Sequence, residues 1–470
     1  MVPSLSSSDN NGHVSSTPDT CSDNKVVPVS SIAAALAKPD ESPYYIGFEK
    51  VRVDEYHNVS NPEGIIQLGL SENTLSLDLL KEWLNKNLNE SLSQGSSDGL
   101  INVDKLAPYQ QFDGIMELKK VMARFMSEVL GGGTIEFDPL QVVLTCGANP
   151  ANEILCNCVA DPGDAFLVPA PYYPGFNRDM KIRSTVELIP VPTLSSDNFI
   201  VTIEALNIAY DQAKKQGKNV KGLLFANPSN PVGNMFNKET LQNLLNFAKE
   251  KNIHIISDEI YAGSRYGDDK FISIAEVVYP ESIEKDRVHI VYGLSKDLCI
   301  PGFRLGVVYS WNQDVLTASK KLTRFCSVPL PIQQILLSML SDGKFIQDFM
   351  KTNQERLRKR YSIFVEGLEK LGLGYVKGSA GLYCWVNMGR LMSSQDEKGE
   401  LELWDKLMNI AKISVTPGGA CHCTEPGWFR CCFARLSVED VCLTIERIKR
   451  IVESVKPKCC GCQCDRNRAK

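Results

Sequence analysis

Phe225-Ala226-Asn227-Pro228-Ser229-Asn230-Pro231-Val232-Gly233, Ser257-Asp258-Glu259-Ile260-Tyr261, Tyr292-Gly293-Leu294-Ser295-Lys296-Asp297 and Pro301-Gly302-Phe303-Arg304 follow one another within residues 225–310. The first three groups each close a short apolar run, at 222–225, 253–256 and 288–292. Apolar runs this short, separated by helical or loop sequence, read as strands buried on both faces. Similar runs at 142–145, 165–169, 186–191 and 305–309 alternate with helical patterns such as 238–251. That βα rhythm predicts an α/β fold, with a mostly parallel sheet lying between helices. The polar residues then stand at strand ends, where open α/β sheets collect their ligands.

Delivered to one place, those residues make a particular chemical kit. A Lys condenses with an aldehyde, and an Asp holds a heteroaromatic nitrogen protonated. Asn and Tyr bond a phenolate oxygen, and Arg neutralises a phosphate. These are the needs of pyridoxal 5'-phosphate (PLP). Elsewhere, 142–145 runs into Cys146-Gly147-Ala148-Asn149-Pro150-Ala151-Asn152-Glu153. A glycine turn opening a helix offers free N–H groups to a phosphate; without a ligand it is a tight strand-to-helix turn. A carboxylate at a buried strand end, as expected for Asp258, must be paired.

Asn-Pro-Ser-Asn-Pro at 227–231, Asp-Glu-Ile-Tyr at 258–261, Ser-Lys-Asp at 295–297 and Pro-Gly-Phe-Arg at 301–304 resemble fold-type I PLP-dependent enzymes. Within them the likeness is to the plant 1-aminocyclopropane-1-carboxylate (ACC) synthase family, and it runs from about residue 44 to about residue 455. The resemblance implies that Lys296 is the catalytic amine. It implies that Ala148, Asn149, Ser295 and Arg304 hold the cofactor phosphate, and that Asn230, Asp258 and Tyr261 hold the ring. Tyr173, in preference to Tyr172, is implied as the residue stacked on the ring. Glu72, in the entry segment 62–73, and Arg430, in Trp428-Phe429-Arg430, are implied at the substrate, Arg430 on its α-carboxylate. Glu72 also reads as an acid capping a helix at 78–88, and Arg430 as half of a structural ion pair. A homodimer is implied, because family sites are completed across subunits.

Two positions depart from the family pattern. Phe112 stands where a Tyr is usual, and Gly293 stands where many ACC synthases have Ser.

The implied architecture is a large PLP-binding domain over 76–324 and a smaller α+β domain over 325–455, with 41–75 as an N-terminal arm and part of the small domain. A Ser-rich tail at 1–40 has few residues able to form a core and is expected to be disordered. A Cys-rich basic tail at 456–470 lacks a prenylation box. Net charge is −5 over 470 residues, which gives no reason to expect a nucleic-acid surface. No apolar run approaches the roughly 20 residues of a membrane helix, and the N-terminus has no secretion signal, so a cytosolic location is expected. In that setting sixteen cysteines read as reduced thiols. The pairs 156/158, 421/423 and 431/432 read as small buried hydrophobes rather than metal ligands.

The shared site implies that Lys296 removes the proton from a substrate Cα, after which transamination and ACC formation diverge. Tyr-Gly-Leu-Ser-Lys-Asp-Leu, the Glu397–Leu401 segment and Cys421-His422-Cys423 resemble the atypical branch of the plant family, whose members act as amino-acid aminotransferases. Transfer of an amino group from aspartate or an aromatic amino acid to a 2-oxo acid is therefore the expected reaction. ACC synthase acting on S-adenosylmethionine is the alternative, and a non-catalytic PLP-binding regulator is the third.

Overall fold

The computed structural model describes residues 27–278 and 283–455. Its strands are β1 (Ile66–Gln67), β2 (Val142–Thr145), β3 (Ala165–Ala170), β4 (Glu187–Pro192), β5 (Val220–Ala226), β6 (His254–Asp258), β7 (Val288–Gly293), β8 (Gly306–Ser310), β9 (Gly374–Tyr375), β10 (Tyr383–Asn387), β11 (Ile413–Ser414), β12 (Thr416–Pro417) and β13 (Trp428–Cys432). Seven form the main sheet in the order β2-β8-β7-β6-β5-β3-β4. All its neighbours are parallel except at β8, which runs against both β2 and β7.

The apolar runs explain why the sheet is covered twice. Along each strand alternate side chains point to opposite faces. Leu224, Ile256 and Val291 enter one hydrophobic cluster, while Leu223, Ile255 and Ile290 enter another. All six are fully buried. A strand that is apolar on both sides has no face left for water, so helices pack on each. The ladders run one or two residues beyond the apolar stretches, to Ala226, Asp258 and Gly293, with Ala226 opposite Asp258 and Asp258 opposite Val291. The sheet itself therefore fixes the Asp258 backbone.

A four-stranded antiparallel sheet, β12-β13-β10-β9, and the parallel pair β1-β11 complete the β structure. The long helix Gly343–Lys370 and the helix Val438–Val455 pack beside them. Predicted helix ends shift where caps decide. The helix expected over 113–130 spans Met116–Val129, because Asp113 is drawn into an ion pair with Lys119. The helix expected over 78–88 runs Leu77–Ser93, past the point where its apolar periodicity fades.

Ser31–Leu36 is helical, with the Ser30 hydroxyl accepting from the Ala33 N–H at 3.1 Å. An alanine-rich stretch behind a Ser cap favours a helical turn even with no side chain buried. Residues 1–26 and the Cys-rich tail at 456–470 lie outside the described residues. The eleven described cysteines are free, and of the three pairs Cys156, Cys421, Cys431 and Cys432 are buried. Among the described residues no helix is long and apolar enough to cross a membrane.

Candidate active site

The carboxyl ends of β5 and β6, the turn after β7 and the start of the helix Ala148–Val159 converge on one cleft. Of the eleven site residues expected from the sequence, Ala148, Asn149, Tyr173, Asn230, Asp258, Tyr261, Ser295, Lys296 and Arg304 line it.

Asp258 closes β6 at 6% exposure. Its carboxylate accepts from the Asn152 amide and the Ile260 N–H, both at 3.3 Å. Burial pushes it up to about 6, against the opposing pull of those bonds and of Lys296. Two long neutral bonds undersupply a buried carboxylate, so this oxygen pair suits a cationic N–H.

Lys296 sits in the short helix Leu294–Asp297 that follows β7. Its ammonium donates to the Ser71 carbonyl at 2.5 Å and lies 5.7 Å from the Tyr261 ring centre. Withdrawal from water brings it down to about 8, so about a tenth is free amine at pH 7. A free amine at that depth is both a nucleophile and a base. Its neighbour Tyr261 is 3% exposed, and its phenol lies 2.9 Å from the Ser71 hydroxyl.

A phosphate-sized seat forms where Arg304 meets the helix Ala148–Val159. Gly147 caps that helix at φ +97° with no side-chain cap bond, leaving first-turn N–H groups for an anion. A Cβ at Gly147 would fall against Arg304 Nη2. Arg304 donates to the carbonyls of Pro301 and Cys146 at 3.0 and 3.2 Å. No carboxylate is paired with it among the described residues. The Asn149 side chain is engaged away from the seat. Its amide donates to both oxygens of Asp179, at 2.8 and 2.7 Å, so only its backbone remains at the seat.

The two adjacent tyrosines separate cleanly. Tyr172 stacks on His422 at 4.6 Å and is part of the packing. Tyr173 turns into the cleft, edge-on to Tyr44 and Phe176.

Arg430, in β13, is fully buried behind the cleft wall. It donates to Asn230 Oδ1 at 2.8 Å and to the Gly69 carbonyl at 2.6 Å, and its Nε has no partner. Tyr44 and Tyr383 flank it at 5.5 Å. Among the described residues no carboxylate faces this charge, which excludes the structural ion pair and suits a carboxylate-bearing ligand.

Glu72 lies beside the cleft, within electrostatic reach of Lys296. Its carboxylate is turned to Arg435 at 3.1 Å, beside the Arg435–Glu55 pair, and it is absent from the cleft wall. The helix it was thought to cap has Ser76 at its N-cap instead. Phe112 packs under the Arg324 guanidinium at 5.5 Å. At Gly293 a Cβ would lie 2.7 Å from the Leu305 carbonyl oxygen, so the missing hydroxyl reflects close backbone packing.

Sequence reasoning missed Ser71, Asn152, Asp179 and Tyr44, all of which line the cleft. Burial pushes Asp179 up to about 6. Asn152 carried a signal, standing three residues after Asn149 on one helical face. The other three had none, because only folding brings them to the strand ends.

Taken together, the cleft offers an anion seat, a carboxylate for a protonated ring nitrogen and a partly deprotonated amine, with the Arg430 guanidinium buried behind its wall. A family profile described as aminotransferase class I and II matches residues 65–448. A relative in Arabidopsis thaliana described as probable aminotransferase ACS12 is 54% identical, over 92% of this chain and 86% of its own. One in Oryza sativa subsp. japonica, described as 1-aminocyclopropane-1-carboxylate synthase 6, is 52% identical over 92% of this chain and 80% of its own. In fold, aspartate aminotransferase from Thermus thermophilus with maleate superposes with a TM-score of 0.73, at 22% identity, covering 91% of this chain and 100% of that one. The chain belongs to the aminotransferase class I and II family of PLP-dependent enzymes, and its near relatives include plant ACC synthases and a probable aminotransferase.

Proposed function

We propose that this enzyme is a PLP-dependent amino-acid aminotransferase, moving an amino group from aspartate or an aromatic amino acid to a 2-oxo acid. The observation that carries this choice over ACC formation is the Glu72–Arg435 ion pair. In ACC synthases the corresponding Glu lies in the active site. Here that carboxylate is paired with Arg435 at 3.1 Å, which offsets its pull on a sulfonium-bearing substrate such as S-adenosylmethionine while leaving it within electrostatic reach of Lys296. The Phe112 and Gly293 departures point the same way, as does the name of the Arabidopsis relative.

The cleft fits PLP on its own chemistry. The under-bonded carboxylate of Asp258 matches a pyridinium N–H, and Gly147, whose Cβ would crowd Arg304, leaves room for a phosphate between that guanidinium and the helix start. When bound, PLP supplies an aldehyde for the amine and an electron sink for a carbanion at the substrate Cα. Ser295, Arg304 and the Ala148–Asn149 backbone would hold its phosphate, and Asp258 would keep its ring nitrogen protonated. Tyr173 would hold the ring, and Tyr261 and the Asn230 amide would donate to its phenolic oxygen. Arg430 takes the substrate carboxylate and so orients the Cα–H bond towards Lys296. The Lys296 Nζ takes that proton, a role suited to an amine brought down to about 8. By the same reading the enzyme is a homodimer with Phe112 at the subunit boundary.

The second reading is ACC synthase, favoured by the name of the rice relative at 52% identity and of further relatives at 42–44%. One experiment separates them. The PLP-loaded protein is offered S-adenosylmethionine in one tube, and aspartate or an aromatic amino acid with 2-oxoglutarate in another. Glutamate from the second tube alone establishes transamination. ACC and methylthioadenosine from the first overturn it.

A further inference from the structure

Residues 69–72 touch three of the groups the reaction needs. The Gly69 carbonyl accepts from Arg430, the Ser71 carbonyl accepts from Lys296, and the Ser71 hydroxyl meets the phenol of Tyr261. The segment is held in place from both sides. The Gln67 side chain accepts from the Gly69 and Leu70 N–H groups at 2.8 and 3.1 Å, and the Glu72 carbonyl accepts from Cys432 Sγ at 3.4 Å. Ser71 is itself only 6% exposed, so its hydroxyl cannot turn freely to solvent.

A phenol and a serine hydroxyl 2.9 Å apart share one hydrogen bond, and either atom can donate it. The direction matters, because Tyr261 has a single proton. If Tyr261 donates to Ser71, it has nothing to offer the cleft. An anionic oxygen in the cleft is a better acceptor than a neutral hydroxyl, so with such an oxygen present the phenol proton turns to it and Ser71 becomes the donor. A phenol that accepts one hydrogen bond is polarised into a stronger donor of its own.

We propose that Ser71 is a positioning residue for the Tyr261 proton: its hydroxyl donates to Tyr261 Oη, which directs the phenol proton into the cleft towards the phenolic oxygen of PLP. The proposal rests on the PLP reading above. Its role is indirect, since Ser71 acts through Tyr261.

The visible absorbance of the PLP-loaded protein, titrated against pH, reads this out. Tyr261 and the proton on the lysine-derived nitrogen compete for the same phenolic oxygen. When that nitrogen loses its proton the oxygen carries its charge alone, and the phenol's bond to it counts most. Weakening the phenol as a donor therefore makes deprotonation harder and moves the titration midpoint upward. Ser71→Ala should raise the midpoint by roughly 0.3–0.7 unit, a fraction of one hydrogen bond. Ser71→Thr, which keeps the hydroxyl, should return it towards the parent value.

In a Tyr261→Phe background, Ser71→Ala should add nothing further, because the partner it acts through is gone. No shift in Ser71→Ala, or the same shift with and without the Tyr261 hydroxyl, overturns the proposal while leaving the PLP reading intact. If Ser71→Ala fails to fold, Ser71→Cys against Ser71→Thr makes the same comparison with a weak donor, and equal midpoints overturn it. A parent protein that develops no visible band with PLP overturns the PLP reading itself, and this proposal with it.

Discussion

Asn230 Oδ1 accepts a hydrogen bond from Arg430 Nη1 at 2.8 Å, joining the loop after β5 to β13 across 200 residues of sequence. The amide oxygen orients a guanidinium that has no counter-ion of its own among the described residues, and the amide N–H₂ is left for the cleft. Arg430→Lys replaces a planar fork by a point charge and should lower kcat/KM by about 100-fold, chiefly through KM. Asn230→Asp places a carboxylate on Arg430 and should raise KM at least about 10-fold by pre-empting the substrate. Steady-state kinetics with varied amino donor check both.

Gly147 should not tolerate a side chain. Its φ of +97° and the Arg304 guanidinium beside its missing Cβ both require glycine. Gly147→Ala should weaken PLP retention at least about 10-fold, from backbone strain of about 1–3 kcal/mol and displacement of Arg304. Dialysis followed by the absorbance of the retained cofactor measures it.

Stability without PLP should depend on pH in two windows. Asp258 is raised to about 6, so its contribution is fully present below the unfolded value near 3.9 and is lost as pH rises through 6. Lys296 is lowered to about 8, so its contribution is present above the unfolded value near 10.4 and lost as pH falls through 8. Denaturant midpoints of the PLP-free protein should therefore decline between about pH 4 and 6 and rise again between about 8 and 10. Asp258→Asn should shrink the first window, which Asp179, Asp297 and Glu259, all raised by burial, share, and Lys296→Met should flatten the second. Borohydride-trapped PLP on Lys296 should likewise increase as pH passes through 8.

Restoring the serine common in ACC synthases should harm this chain. A Cβ at 293 meets the Leu305 carbonyl at 2.7 Å, so Gly293→Ser forces β7 and β8 apart. It should cost about 1–3 kcal/mol in unfolding experiments without tightening PLP.

The sheet and most of its strand-end residues were legible because both are local patterns. An apolar run long enough for one strand, then Asn, Asp or Lys, marks a buried strand and its polar end within a few residues. The choice of Tyr173 over Tyr172, by contrast, came from resemblance, and its geometry turns on His422, which fills the space beside Tyr172. Asn149 could be placed at the helix start, but the direction of its amide depended on Asp179 in another helix.

By itself, then, the sequence determined the α/β architecture, the strand-end chemistry and the glycine turn, each written in neighbouring residues. Only the tertiary structure decided which distant segments complete the site. Ser71 meets Tyr261 across 190 residues, and Glu72 is drawn to Arg435 across 363. The physical reason is that β1 lies beside β11, its partner more than 300 residues away. Packing sets that pairing, and neither one segment nor its spacing records it.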